Sequence, residues 1–108
     1  MSRAQRKPST VGDILLEEYL IPLNLKIADL AVMLDVHRNT ASAIVNNNAK
    51  LSLEMALKLA RLFNTSPEFW LNLQMKLDLW EIGNNVRFQE SLKKISPIAR
   101  NNVLENIA

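Results

Sequence analysis

The stretch IADLAVMLDVHRNTASAIVN, residues 27–46, decides how this chain is interpreted. Its apolar residues recur at spacings of three and four over residues 27–34 and again over residues 37–45, which indicates two short amphipathic helices. Asp35 and Val36 interrupt the pattern between them. Two short helices joined by a tight turn form a helix-turn-helix, whose second helix can enter the major groove of DNA. The stretch therefore predicts a DNA-reading unit.

Spacing also predicts which side chains of this unit face inward. Ala31 is a small residue in the middle of the first helix and allows a close helix crossing, with Leu30 and Leu34 beside it on the buried face. Val36 closes the core from the turn, and Ile44 anchors the second helix.

Two positions depart from the usual helix-turn-helix pattern. The turn position that is often glycine is Asp35, which adopts the left-handed conformation less readily. The buried position that is often Val or Ile is Ala41, which implies either closer packing or a slightly different helix angle.

The outward face of the second helix carries small and hydrogen-bonding side chains. Arginine can hold guanine through two hydrogen bonds, asparagine can hold adenine in the same way, and threonine can touch the thymine methyl group. We predict base contacts by Arg38, Asn39, Thr40 and Ser42, a groove or cap contact by His37, further contacts by Asn46, Asn47 and Asn48, and phosphate contacts by Lys26 and Lys50. The alternative interpretation is that this face is an ordinary solvated surface.

The same three- and four-residue spacing continues along most of the chain, and no segment alternates at period two, so we expect an all-α fold. A first helix is predicted over residues 11–20, ending before Pro22. A fourth helix should follow the cap residue Ser52 and run to about residue 63. Its apolar face would comprise Leu53, Met55, Ala56, Leu59, Ala60 and Phe63.

A fifth helix should begin after Ser66, with Pro67 in its first turn, and reach about Trp80. Gly83 and the two asparagines after it are expected to form a C-cap and turn. Two further helices are predicted over residues 86–94 and 98–107. We divide the chain into a basic arm at residues 1–10, a five-helix domain at 11–82 and a helical C-terminal extension at 83–108.

An apolar and aromatic stripe follows the fifth helix at spacings of three and four. It comprises Phe69, Trp70, Leu73, Leu77 and Trp80. Core packing is the favoured interpretation for Phe69 and Leu73. Two indoles exceed what a core of this size must bury and aromatic residues are enriched in interfaces, so we assign Trp70, Leu77 and Trp80 to a dimer interface. A two-fold dimer also suits DNA reading, because one recognition helix covers few base pairs.

Composition limits the other functions of this chain. The net charge of +2 among 108 residues permits a polyanionic partner without demanding one, although Arg3, Arg6 and Lys7 make the N-terminal arm basic. The absence of cysteine excludes disulfides and thiolate metal sites, and no apolar run is long enough for a membrane span, so we expect a cytoplasmic protein. One histidine, adjacent rather than paired acids at Glu17 and Glu18, and no phosphate-binding glycine loop argue against an enzyme, a metal and a cofactor.

Three segments together resemble one protein family. They are residues 8–15 before and within the first helix, residues 36–46 at the second helix of the unit, and residues 64–74 followed by Asp78-Leu79-Trp80. The sequence is similar to HigA-type antitoxins, helix-turn-helix proteins of the xenobiotic-response-element group in bacterial toxin–antitoxin modules.

The resemblance implies a lambda-repressor-like fold and a dimer that binds operator DNA and represses its own operon. It also implies neutralisation of a RelE-like, HigB-type toxin, a ribosome-dependent mRNA endonuclease. Family DNA contacts carried over by position fall on Arg38, Asn39, Thr40 and Ser42. Two alternatives stay open, namely a stand-alone transcription regulator of the same fold and a helical protein-interaction domain that binds no nucleic acid.

Overall fold

The structure is a computed structural model that describes residues 6–99, and over these residues it is all-helical. The α-helices are Val11–Ile14 (α1), Ile27–Leu34 (α2), Arg38–Val45 (α3), Leu53–Phe63 (α4), Pro67–Gly83 (α5) and Val86–Leu92 (α6). The predicted all-α fold is confirmed. The helix predicted over residues 98–107 falls almost wholly outside the described residues, as does Arg3 of the arm.

The first helix begins in a capping box. Thr10 Oγ1 accepts a hydrogen bond of 3.0 Å from the Asp13 amide, and the Asp13 carboxylate accepts from the Thr10 amide at 3.4 Å. The prediction of one regular α-helix over residues 11–20 is wrong in its second half, because the chain continues as a π-helix over Leu15–Leu20. Leu15 and Leu20 are both buried, and a turn with i to i+5 bonding brings residues five apart nearer to the same face than an α-helix does.

Helices α4 and α5 both begin at serine caps, as predicted. Ser52 accepts from the Met55 amide and Ser66 from the Phe69 amide, each at 3.1 Å. The C-cap of α4 is Asn64, which takes the left-handed conformation with φ of 56°. Leu53 was predicted to face inward but is exposed, because it lies at the edge of the α4 face that Met55 and its inward neighbours bury.

The end of α5 differs from the prediction. The helix continues to Gly83, which does not take the left-handed conformation and therefore does not act as a C-cap. The C-cap is the neighbouring Asn84, whose side-chain Nδ2 donates to the Trp80 carbonyl at 2.8 Å. Asn85 then caps α6 by accepting from the Phe88 amide at 3.0 Å. Helix α6 ends at Leu92, two residues before the predicted end.

The core contains side chains from α1 to α5 and the π-helix, with Trp70 at its aromatic centre. The Trp70 side chain is fully buried, and its indole Nε1 donates to Thr65 Oγ1 at 2.7 Å. Tyr19 stacks on Phe63 with ring centroids 3.9 Å apart, and both rings lie about 6 Å from the indole. These rings join the π-helix to α4 and α5.

Candidate nucleic-acid interface

The interior of the helix-turn-helix is assembled as its spacing predicted. Leu30, Ala31 and Leu34 of α2 and Ile44 of α3 are all buried. Ala41, where larger residues are more usual, is 1% exposed, so alanine fills this position of the core without leaving it open to solvent.

The turn between α2 and α3 takes the left-handed conformation at Asp35, with φ of 57° and ψ of 50°. The amides of Asp35 and Val36 bond to the carbonyls of Val32 and Ala31 at 3.1 and 3.0 Å, which closes the end of α2. Lys58 Nζ on α4 donates to the Asp35 carbonyl at 3.3 Å. The turn is therefore held both by its own helix and by α4.

This conformation predicts opposite tolerances for two substitutions of Asp35. Asp35→Val should lower the free energy of unfolding by about 1 to 2 kcal/mol, because a β-branched residue is strained at positive φ. The free energy of unfolding of Asp35→Gly should stay within about 0.5 kcal/mol of that of the natural chain. Glycine relieves the strain of the left-handed conformation but loses more backbone entropy on folding, and the two effects offset each other. Urea unfolding followed by circular dichroism measures both, and equal stability of the two variants would contradict a left-handed turn.

Helix α3 is capped by the side chain of His37, the residue just before its first turn. His37 Nδ1 accepts from the Asn39 amide at 3.0 Å, which satisfies one of the free N–H groups of the first helical turn. In the neutral ring, an Nδ1 that accepts leaves the proton on Nε2, so the exposed edge of His37 offers a donor. The sequence leaves a groove contact and a helix cap as alternatives for His37. The structure shows that His37 is the N-cap of α3.

The outward face of α3 presents the predicted DNA-contacting side chains. His37, Arg38, Asn39, Thr40 and Asn46 are exposed, whereas Ser42 is half-buried. Asn46 Nδ2 donates to Ser42 Oγ at 3.1 Å, which orients the two side chains as a pair one turn apart. Between Asp35 and Glu54 the sequence contains no acidic residue. No carboxylate on α3 or in the loop after it therefore repels the phosphates of DNA.

The two predicted phosphate-binding lysines differ in their surroundings. Lys26 is exposed just before α2, where its amide donates to the Asp29 carboxylate at 2.9 Å. Lys50 Nζ lies 3.2 Å from Asp78 Oδ1 on α5, and the two side chains are 73% and 40% exposed. Lys50 is therefore an ion-paired cation rather than an isolated one.

The end of α3 and the loop after it each meet a residue that sequence reasoning did not single out. At the end of α3, a Cβ on Gly12 would collide with the Val45 carbonyl oxygen and lie 2.8 Å from that of Ile44. In the loop, Gln74 on α5 accepts from the Leu51 amide at 3.0 Å. A glycine in the first turn of a helix, and a glutamine on a core-facing helical stripe, are the sequence signals that could have revealed them.

The predicted dimer interface needs one correction. Trp70 has no exposed surface, because it fills the core between the π-helix, α4 and its own helix α5. Leu77 and Trp80 are half-buried, so burial does not contradict their assignment to the interface. Phe69, assigned to the core, is 42% exposed and meets the edge of Trp70 with centroids 5.0 Å apart, while Leu73 packs against the core as predicted.

An apolar stripe also remains exposed on the opposite side of α5. Met75, Leu79 and Ile82 follow one another at spacings of four and three and are 55%, 62% and 39% exposed.

Neither a group of potential metal ligands nor a helix long and apolar enough to cross a membrane occurs within residues 6–99.

Two packed helices, a left-handed turn and a capped second helix with an outward polar face define a protein of the DNA-binding helix-turn-helix class. The sequence matches the helix-turn-helix family over residues 16–70. The chain belongs to this family, whose members are DNA-binding regulators and antitoxins rather than enzymes.

Relatives and a solved structure narrow the class. A helix-turn-helix transcriptional regulator of Haemophilus influenzae, named as uncharacterized, is 63% identical over 85% of this chain and 86% of its own length. Antitoxin HigA-1 of Vibrio cholerae is 40% identical over 91% of this chain and 90% of its own length. The structure of the Pseudomonas aeruginosa antitoxin HigA with the higBA promoter superposes with a TM-score of 0.74 at 33% identity, covering 84% of this chain and 98% of that one. The resemblance to HigA antitoxins is thus confirmed.

Proposed function

We propose that this chain is an antitoxin that, as a homodimer, binds operator DNA to repress its own operon and neutralises a RelE-like, HigB-type mRNA endonuclease. The observation that carries the DNA-binding part is the capped helix α3, which presents Arg38, Asn39 and Thr40 in its first, solvent-exposed turn. The toxin-binding part is supported by similarity to the Vibrio cholerae antitoxin HigA-1 over nearly the full length of both chains.

The geometry suggests how each residue acts on DNA. The first turn of α3 enters the major groove, where the guanidinium of Arg38 pairs with guanine O6 and N7 and the amide of Asn39 pairs with adenine. Thr40 contacts a thymine methyl group, and the linked Ser42 and Asn46 contact bases one turn further along.

Phosphate contacts hold the helix in the groove. Donors to the phosphates come from residues on either side of α3. They are the Nε2 proton of His37, the ammonium groups of Lys26 and Lys50, and Asn47 in the loop after α3. These contacts orient the protein without reading sequence. A dimer places two copies of α3 in successive major grooves, about 34 Å apart along the duplex. The half-buried Leu77 and Trp80 of α5 are the proposed subunit contacts.

Arg38→Ala tests the base-reading assignment. We expect operator binding to weaken by about 1 to 3 kcal/mol and one base position to lose its preference, because a bidentate guanine contact is removed. Fluorescence anisotropy at fixed salt, with DNA from upstream of the chain's own gene, measures both. Arg61→Ala removes an arginine that is also exposed, on α4, and is the matched control. If both variants bind and discriminate like the natural chain, α3 is not the reading helix.

Co-expression tests the antitoxin role. The chain should restore growth to cells that express the RNase-like protein encoded beside its gene, and it should form a complex with that protein. The Arg38→Ala variant should still restore growth while losing repression, since its defect is confined to DNA contact. Absence of both the complex and the rescue would remove the antitoxin role and leave DNA binding unaffected.

A stand-alone transcription regulator is the second candidate function. It is favoured by the Haemophilus influenzae relative, which is more similar to this chain than HigA-1 is and is named a transcriptional regulator. An unrelated neighbouring gene, together with specific operator binding, would select this candidate.

A further inference from the structure

A hydrogen-bonded chain of four groups connects α5 to the segment that follows the recognition helix. The Leu51 amide donates to Gln74 Oε1 at 3.0 Å, and Gln74 Nε2 donates to Asp78 Oδ1 at 3.0 Å. The same carboxylate oxygen lies 3.2 Å from Lys50 Nζ. Two consecutive residues after α3 are therefore tied to two residues one turn apart on α5.

The backbone link is the stronger part of this connection. Leu51 is only 9% exposed and lies before α4, so its amide has no helical carbonyl to bond to. A buried amide left without an acceptor costs more free energy than an ordinary hydrogen bond contributes. The Lys50 to Asp78 ion pair is largely exposed and contributes little by itself.

Asp78 favours the orientation of the Gln74 amide that turns its oxygen toward Leu51. A side-chain amide has an accepting oxygen and a donating nitrogen, and rotation by half a turn would aim the nitrogen at the Leu51 N–H. An ionised carboxylate only accepts hydrogen bonds, so Asp78 takes the nitrogen and turns the oxygen toward Leu51. Asp78 therefore acts on the backbone through Gln74.

We infer that Gln74 and Asp78 are positioning residues for operator reading, which they serve by fixing the loop that follows α3. This inference rests on the proposed operator binding. The end of α3 lies against Gly12, and the loop that follows it is tied to Gln74, so losing the second support lets α3 shift against the first. Base contacts depend on that register, whereas contacts to the regularly spaced phosphates tolerate a shift.

Gln74→Met tests the inference, because methionine keeps the length of the side chain and removes both hydrogen bonds. We expect the ratio of operator to random-sequence DNA affinity to fall about five- to tenfold, with random-DNA affinity changed less than twofold. Fluorescence anisotropy on both duplexes at one salt concentration gives the ratio, at a temperature where circular dichroism shows every variant folded. A purely structural role would change thermal stability and leave this ratio unchanged.

Two variants of Asp78 and one control complete the experiment. Asp78→Asn still offers an oxygen to Gln74 and should keep the ratio, whereas Asp78→Ala should lower it as Gln74→Met does. Gln89→Met is the matched control, since Gln89 also makes a side-chain hydrogen bond to the backbone, from Nε2 to the Ile82 carbonyl at 2.9 Å, but lies on α6.

The outcomes separate the inference from the function on which it rests. If the natural chain prefers the operator and Gln74→Met and Asp78→Ala keep the same ratio, the positioning role is wrong and operator binding stands. If the natural chain itself shows no preference for the operator, the proposed function fails first. Should Gln74→Met not fold, the contrast between Asp78→Ala and Asp78→Asn decides the matter.

Discussion

Trp70→Ala is expected to lower the free energy of unfolding by about 3 to 5 kcal/mol, the range for removal of a large buried aromatic side chain. The indole is fully buried, and the rings of Tyr19, Phe63 and Phe69 all pack on it. Its removal also leaves the Thr65 hydroxyl without the indole N–H that bonds to it at 2.7 Å. Because small domains are stable by only about 5 to 15 kcal/mol, this loss takes a large share of the total.

Trp80→Ala is the matched control, since it removes the same side chain from the same helix at a half-buried position. We expect a clearly smaller loss of stability, measured for both variants by urea unfolding with circular dichroism. Sedimentation equilibrium should in turn show weaker self-association for Trp80→Ala, as the proposed subunit contact requires. If Trp70→Ala instead dissociated a dimer and left the stability of the fold unchanged, the assignment of Trp70 to the core would be wrong.

Gly12→Ala is expected to lower the free energy of unfolding by about 1 to 3 kcal/mol, although alanine is normally the better helix former. The added methyl group would overlap the Val45 carbonyl oxygen and crowd that of Ile44, and backbone atoms cannot turn aside as a flexible side chain can. The first helix and the end of α3 must therefore separate. Operator affinity should fall with stability, because the displaced atoms belong to the recognition helix.

Gly83→Ala is the control, and it is expected to change the free energy of unfolding in the opposite direction. A Cβ at Gly83 would meet nothing within 4 Å, and the residue lies in the last turn of α5. We expect stability to rise by up to about 1 kcal/mol through the helix propensity of alanine, with operator affinity unchanged. Thermal unfolding of the two variants compares them directly, and a Gly12→Ala protein as stable as Gly83→Ala would show that the close approach at Gly12 does not exist.

Residues close together in sequence account for most of the correct predictions. The bounds of α2 and α4, the serine caps of α4 and α5 and the exposed face of α3 all follow from apolar periodicity and from cap residues. Such signals act within one or two turns of the chain, so a single sequence contains them in full. They were enough to identify a helix-turn-helix and the exposed face of its second helix.

The DNA-binding helix-turn-helix within a helical domain was thus determined by the sequence itself. The tertiary structure alone decided that Trp70 is a core residue, that Lys50 is paired with Asp78, that Gly12 touches the end of α3 and that Gln74 holds Leu51. Each of these contacts joins residues on different helical segments or across a loop. Spacing along one helix shows which side chains share a face, but the neighbour that the face meets depends on how the helices pack.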